Sequence, residues 1–164
     1  MSDEIQIDPR ELRQAFGNFA TGVTVITTRT EDGDHGMTAN AFMSVSLDPP
    51  LLTISLDKGC KMLERVRRSG RYAVNILSAD MEPTAMHFAG HSDPDLAEIL
   101  SERADLPVLP GASAVFLTDV EQEFEVGDHV LFIGRVREFD WDKAAMPLLF
   151  CAGQFGSLPQ PVRA

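Results

Sequence analysis

Thr38, Asn40, Ser44 and Ser46 fall two or four residues apart in the run HGMTANAFMSVSLDPP, residues 35–50. Alternate residues of an extended strand share a face. These side chains therefore form a row of hydroxyls and an amide, interrupted once by Phe42. Small neighbours let another molecule approach the backbone, so the row can hydrogen-bond the edge of a flat heteroaromatic ring. Met37, Ala39, Ala41, Met43 and Val45 would then face a core. The same alternation describes a plain half-buried strand whose polar side meets water. Spacing alone leaves both readings open.

A second candidate is electrostatic. Lys58, Lys61, Arg65, Arg67, Arg68 and Arg71 crowd into one short stretch of a chain with only 14 Lys and Arg and a formal net charge of −11. The stretch follows Ser55 and opens a helix, whose first amides lack intrahelical partners and attract anions. Ser55, Lys61 and those amides make a candidate phosphate site, with Lys61 nearer the helix start than the arginines. A solvated helix face is the alternative. Neither GxxxxGK[ST] nor GxGxxG after a strand occurs, so no P-loop or Rossmann site is indicated.

His35, His87, His91 and His129 are scattered, without HExxH spacing, and no metal site is expected. His129, in Gly127-Asp128-His129, enters a strand from a turn and can either overhang a pocket or stand as an ordinary surface residue. No GxSxG is present, and neither Cys60 nor Cys151 has an evident histidine partner, so nucleophilic hydrolysis finds no support.

The elements that must position these groups are legible in outline. Asp8, Pro9 and Glu11 supply an N-cap, a proline at the first helical position and an early acid, followed by an apolar stripe of Leu12, Ala15, Phe16 and Phe19. Residues 22–28 are rich in β-branched side chains, and EDGDHG is a turn, which together predict a hairpin into the opening run. LLTISL reads as a strand and KMLERVRRSG as a helix, with Met62, Leu63 and Val66 inward and Gly70 as its cap. RYAVNIL is a strand, ADMEPTAMHFA a short helix, and residues 90–111 a loop-rich excursion with a helical turn or two. Residues 112–126 and HVLFIGRVREFDW form long strands, and PLLFCAGQF a final single one.

These elements predict one mainly β domain with helices, spanning residues 1–164 with a core of about 8–158. The early strands are joined too tightly for parallel crossovers, so an antiparallel closed or split barrel is expected. The acidic balance argues against nucleic-acid or anionic-membrane partners. No apolar run approaches the roughly 20 residues of a membrane span. Two unpaired cysteines and an acidic N-terminus without a signal-like run fit a cytoplasmic chain.

FATGVTVITT, HGMTANAFMSVSLDPP, KMLERVRRSGRYAVNILSAD, HFAG, GDHVLFIGRV and PLLFCAGQF, in this order and spacing, resemble the short-chain flavin reductase family. Its members are reductase components of two-component flavin-dependent monooxygenases, and the similarity is greatest to the small component of phenol and 4-hydroxyphenylacetate hydroxylases. The resemblance implies an FMN-binding split barrel, a homodimer, and hydride transfer from NADH, or NADPH, to FMN or FAD, with the reduced flavin passing to an oxygenase partner. It further implies that Thr38, Ala39, Asn40 and Ala41 line the ring and ribityl region, with Ser44, Val45 and Ser46 continuing the wall. Ser55, Cys60 and Lys61 would meet the phosphate, and Phe88 and Ala89 the far end of the flavin. His129 would look toward the nicotinamide. Phe155 stands where relatives often carry Tyr, and Ala152 and Gln154 where many are more polar. A flavin-binding electron carrier or sensor without NAD(P)H turnover is the competing class.

Overall fold

Local signals place the first elements of the computed structural model, which describes residues 6–159. Helix α1 runs Pro9–Phe16, and the Asp8 carboxylate caps it by accepting the Arg10 N–H at 2.8 Å. The apolar stripe forms but is left uncovered by the described residues: Leu12, Phe16 and Phe19 are 39%, 70% and 80% exposed. The chain then enters β1 (Thr21–Gly22) and β2 (Thr24–Thr30), and a two-residue turn leads into β3 (Gly33–Ala39). This is the hairpin that the β-branched run and EDGDHG predict.

The run beginning at His35 is not one continuous strand. It breaks at Asn40 and Ala41 and resumes as β4 (Phe42–Leu47), which pairs with β5 (Pro50–Asp57). The break exchanges the faces. Met37 and Ala39 pack on the core before it, and Phe42 does so after it, stacked 6.2 Å from Phe116. Met43 and Val45, expected inward, are 58% and 45% exposed. A register change between Ser44 and Ser46 further disturbs the alternation.

The break sits where the sheet curls. After α2 (Lys61–Ser69) come β6 (Arg71–Ile76), α3 (Glu82–Phe88), the short strands β7 (Ser101–Arg103) and β8 (Leu106–Val108), and the long β9 (Ala114–Val126) and β10 (His129–Trp141). The main antiparallel sheet has the order β3-β2-β6-β9-β10-β5-β4. Its two edges are thus consecutive in sequence and meet where the chain bends. There the Ala39 carbonyl accepts from Thr24 Oγ1 at 2.6 Å on one side, and the Ala41 carbonyl accepts from the Ser55 N–H at 3.1 Å on the other. The fold is mainly β, antiparallel and split-barrel-like, as expected.

Inside the curl, Ile26, Ile54, Leu56, Tyr72, Val74 and Phe132 form the core with Met62, Leu63 and Val66 of α2. Burying each such α2 side chain is worth about 1.5–3 kcal/mol. Gly70, at φ 67°, caps the helix in the left-handed conformation that glycine adopts without strain. A second cluster of Val23, Val25, Leu77, Ala85, Leu109 and Leu148 joins the sheet to α3.

Two tight turns went unread in the sequence. Residues 101–108 form a small hairpin rather than loop and helical turns alone, although a 3-10 turn does occur at Pro94–Leu96. PLLFCAGQF divides into β11 (Leu148–Cys151) and β12 (Gln154–Ser157), which with β1 make a three-stranded sheet.

Candidate active site

Strand β3 is the scaffold of the site. On the α3 side, Gly36 has no side chain, and the Phe88 ring occupies the space; a Cβ there would lie 2.5 Å from two ring carbons. Two residues on, Thr38 Oγ1 donates to the Ala85 carbonyl of α3 at 2.6 Å. Strand and helix are thereby locked so that the α3 C-terminus, Phe88 and Ala89, ends beside β3. The O–H of Thr38 is thus committed to α3, and its oxygen keeps the capacity to accept a hydrogen bond from a ligand.

Two cavities flank this junction. The smaller, about 300 Å³, is lined by Thr38, Ala39, Asn40, Ala89, Phe150 and Phe155, among others. Phe150 and Phe155 stand edge to face, with centroids 5.3 Å apart. An apolar slot with aromatic walls and one amide suits a flat ring that has a polar edge. The larger, about 740 Å³, is lined by His35, Gly36, Lys61, His87, Phe88 and Ala89 among its residues. Ala89 belongs to both walls, so the two cavities adjoin.

The basic segment resolves into two kinds of cation. Arg67 pairs with Glu123 at 2.9 Å and Glu64 at 3.0 Å, Arg68 with Asp32 at 2.7 Å and with Glu31, Arg71 with Asp119 at 3.2 Å, and Lys58 with Glu125 at 3.1 Å. These four charges are spoken for, as the solvated-face reading holds. Lys61 and Arg65 have no carboxylate partner among the described residues. Lys61 is the first residue of α2, where the free amides point, and lines the larger cavity. Burial, and next the charges of Arg65 and Lys61, hold the His35 imidazole below its ordinary pKa.

Of the residues singled out from sequence, Thr38, Ala39, Asn40, Ala89 and Phe155 meet in the smaller cavity, and Lys61, Phe88 and Ala89 in the larger. Ala41 lies in the bend. Ser44, Val45 and Ser46 sit on β4 beyond it and line neither cavity. Ser55 is half-buried on β5 next to Ala41, and Cys60 is the residue before α2, packed on the core without a side-chain capping bond. His129 opens β10 opposite Asp57, with Nδ1 2.7 Å from Asp128 Oδ1, and lines neither cavity. Ligand atoms of Asp57, Asp128 and His129 lie within 4.8 Å of one another, and both aspartates are exposed. His35, His87 and Phe150 were not expected in the site. Their convergence is tertiary, and the only local hint is that His35 precedes the small-residue stretch and His87 precedes Phe88.

An aromatic-walled slot joined to a cavity that presents Lys61, on a curled antiparallel sheet, suits a flat ring that carries an anionic tail. The model of the flavin reductase like domain matches residues 16–159, and the chain belongs to that family. It is 43% identical over 157 residues to an NADH-dependent flavin reductase of a Rhodococcus species, covering 93% of this chain and 88% of the relative. It is 38% identical over 162 residues to the NADH-dependent flavin reductase StyB of Pseudomonas fluorescens, covering 96% and 95%. The flavin reductase PheA2 in its native state superposes with a TM-score of 0.89 at 46% identity, covering 94% of this chain and all of that one. The Streptomyces globisporus NADH:FAD oxidoreductase SgcE6, in complex with NAD and FAD fragments, gives 0.87 at 36% identity, covering 96% and 99%.

Proposed function

We propose that this chain is an NAD(P)H:flavin oxidoreductase that passes hydride from a reduced nicotinamide, NADH first, to FMN or FAD and releases the reduced flavin to a partner monooxygenase. The observation that carries this reading is the slot of Asn40, Phe150 and Phe155 opening beside the unpaired Lys61. The family supports it, as do relatives named for this activity, including the reductase component of a trigonelline monooxygenase in Acinetobacter baylyi.

The residues present fit a flavin. Bound there, its ring supplies the hydride-accepting atom. The protein's part is orientation. Ala39 and Asn40 give the ring's polar edge a small-residue wall, Phe150 and Phe155 exclude water from its apolar side, and Lys61 holds the phosphate. Hydride transfer needs two rings held at near-attack distance rather than an acid–base pair, which agrees with the lack of a catalytic dyad in the slot. Ser44, Val45, Ser46, Ser55 and Cys60 extend this site toward β4 and the start of α2. His129 positions the nicotinamide.

The reductase is further proposed to be a cytoplasmic homodimer. The uncovered stripe of Leu12, Phe16 and Phe19 supports a second copy as its cover. No helix among the described residues is long and apolar enough to cross a membrane.

The deciding measurement is NADH or NADPH oxidation at 340 nm with free FMN or FAD. Turnover is expected, whereas a tightly bound flavin without turnover identifies an electron carrier instead. Lys61→Gln is expected to lose about 1–2 kcal/mol of FMN binding, roughly five- to thirtyfold, with riboflavin binding unchanged. An equal loss for both flavins would remove Lys61 from the phosphate. His129→Ala is expected to raise the apparent KM for NADH more than that for flavin, and the reverse pattern would take it out of the nicotinamide pocket.

A further inference from the structure

The larger cavity holds a base beside Lys61 that is placed to respond to an incoming anion. His35 lies on β3 opposite Thr28, half-buried, and lines the cavity together with Lys61. From α2 it is faced by the charges of Lys61 and Arg65, neither of which has a carboxylate partner among the described residues. Its own strand offers Asp34, but Arg29 of β2 engages that carboxylate at 2.6 Å. From α3 comes His87, whose Nδ1 accepts the Asp93 N–H at 2.9 Å, leaving Nε2 as its donor. Glu98 also lines the cavity and bonds to neither Lys61 nor His35. Burial and the two cations thus keep the imidazole uncharged at neutral pH while no ligand is present.

We propose that His35 is a phosphate-binding residue beside Lys61, and that it takes up a proton from solvent when a phosphorylated flavin binds. The proposal rests on the flavin reductase reading. An incoming phosphate reverses the local potential: the anion offsets the repulsion from Lys61 and Arg65 and stabilises the imidazolium, which then donates a charge-assisted hydrogen bond. Two consequences follow from linkage. Affinity rises as pH falls through the pKa of the bound state, and levels off below that of the free state. Riboflavin, which lacks the phosphate, shows no such slope.

FAD is the probe that isolates the effect. Its diphosphate keeps both of its negative charges between roughly pH 5.5 and 8, whereas the FMN monoester titrates at about pH 6. Dissociation constants for FAD and riboflavin are to be measured by fluorescence at pH 6, 7 and 8, with calorimetry at pH 7 in two buffers of different ionisation enthalpy. The wild-type chain is expected to bind FAD about five- to tenfold more tightly at pH 6 than at pH 8, within the limit of about tenfold per pH unit for one proton. Calorimetry is expected to show fractional proton uptake. His35→Asn and His35→Gln should flatten the slope and abolish the uptake, while riboflavin is flat throughout. A flat wild-type FAD profile without proton uptake overturns the proposal, as does a slope that persists in both variants. If neither flavin binds, the reductase reading falls and this inference with it. If both bind without pH dependence, only the inference falls.

Discussion

Asn75→Ala is expected to destabilise the fold by about 3–5 kcal/mol, a large part of the roughly 5–15 kcal/mol available to a domain. Asn75 is fully buried on β6. Its Nδ2 donates to the Val25 carbonyl at 2.9 Å and to Thr27 Oγ1 at 3.0 Å, and its Oδ1 accepts the Leu109 N–H at 2.8 Å. One amide therefore ties β2, β6 and the segment after β8, while Thr27 Oγ1 donates onward to the Pro107 carbonyl at 2.5 Å. Truncation strands the Leu109 donor and weakens the others in a place water does not reach, at about 1–3 kcal/mol for each orphaned group. For a chain of this length, a melting temperature lower by about 10 °C is expected. Asn75→Asp should do at least as badly, because it replaces both donors by acceptors facing oxygens. Urea denaturation checks this; a loss below about 1 kcal/mol for Asn75→Ala would mean that solvent satisfies these groups. Leu109 and Ala85 share a core cluster, so the damage should reach α3 and with it the wall of both cavities.

That chain of contacts explains what the sequence could and could not disclose. Met62, Leu63, Val66 and Gly70 announced α2 because periodicity and cap are properties of neighbouring residues. The β2–β3 hairpin was legible for the same reason. The bend at Asn40 and Ala41 was not, since no glycine or proline marks it; there the chain passes from one edge of the curled sheet to the other. Until that curl is known, the alternation assigns Met43 inward and Phe42 outward, the opposite of their positions. The missed turns share another cause. Ala104 (φ 46°) and Ala152 (φ 49°) occupy the first turn positions, where an alanine gives no signal for a left-handed conformation, so each turn had to be read from Asp105 (φ 65°) or Gly153 (φ 80°) alone. In the site, Thr38, Ala39 and Asn40 were legible as one stretch of strand. The joining of Lys61 with His35 and His87 required three elements to be packed first. The α1 stripe was legible as amphipathic, but no described residue covers it.

Gly36→Val is expected to weaken flavin binding at least tenfold and to destabilise the fold by about 1–3 kcal/mol, the usual range for overpacking. Valine is a better strand residue than glycine, so local propensity should strengthen β3. Any loss must therefore come from the Phe88 ring, two of whose carbons lie 2.5 Å from the position of the new Cβ. With His87 edge-on to it at 4.7 Å, the ring yields either by turning into the larger cavity or by shifting the end of α3. Either movement alters the wall of that cavity, and the helix end carries Ala89, the residue common to both cavities. Phe88→Ala removes the obstacle. The Gly36→Val, Phe88→Ala pair should consequently be less impaired in stability than the sum of the single changes, with a favourable coupling of about 1 kcal/mol or more. Strict additivity would show that Gly36 is not there to admit the ring. Flavin affinity should recover only in part in the pair, because the ring that Gly36 accommodates is itself a wall of the larger cavity. Stability and binding then separate: the first reports the clash at β3, and the second reports the wall that Phe88 supplies.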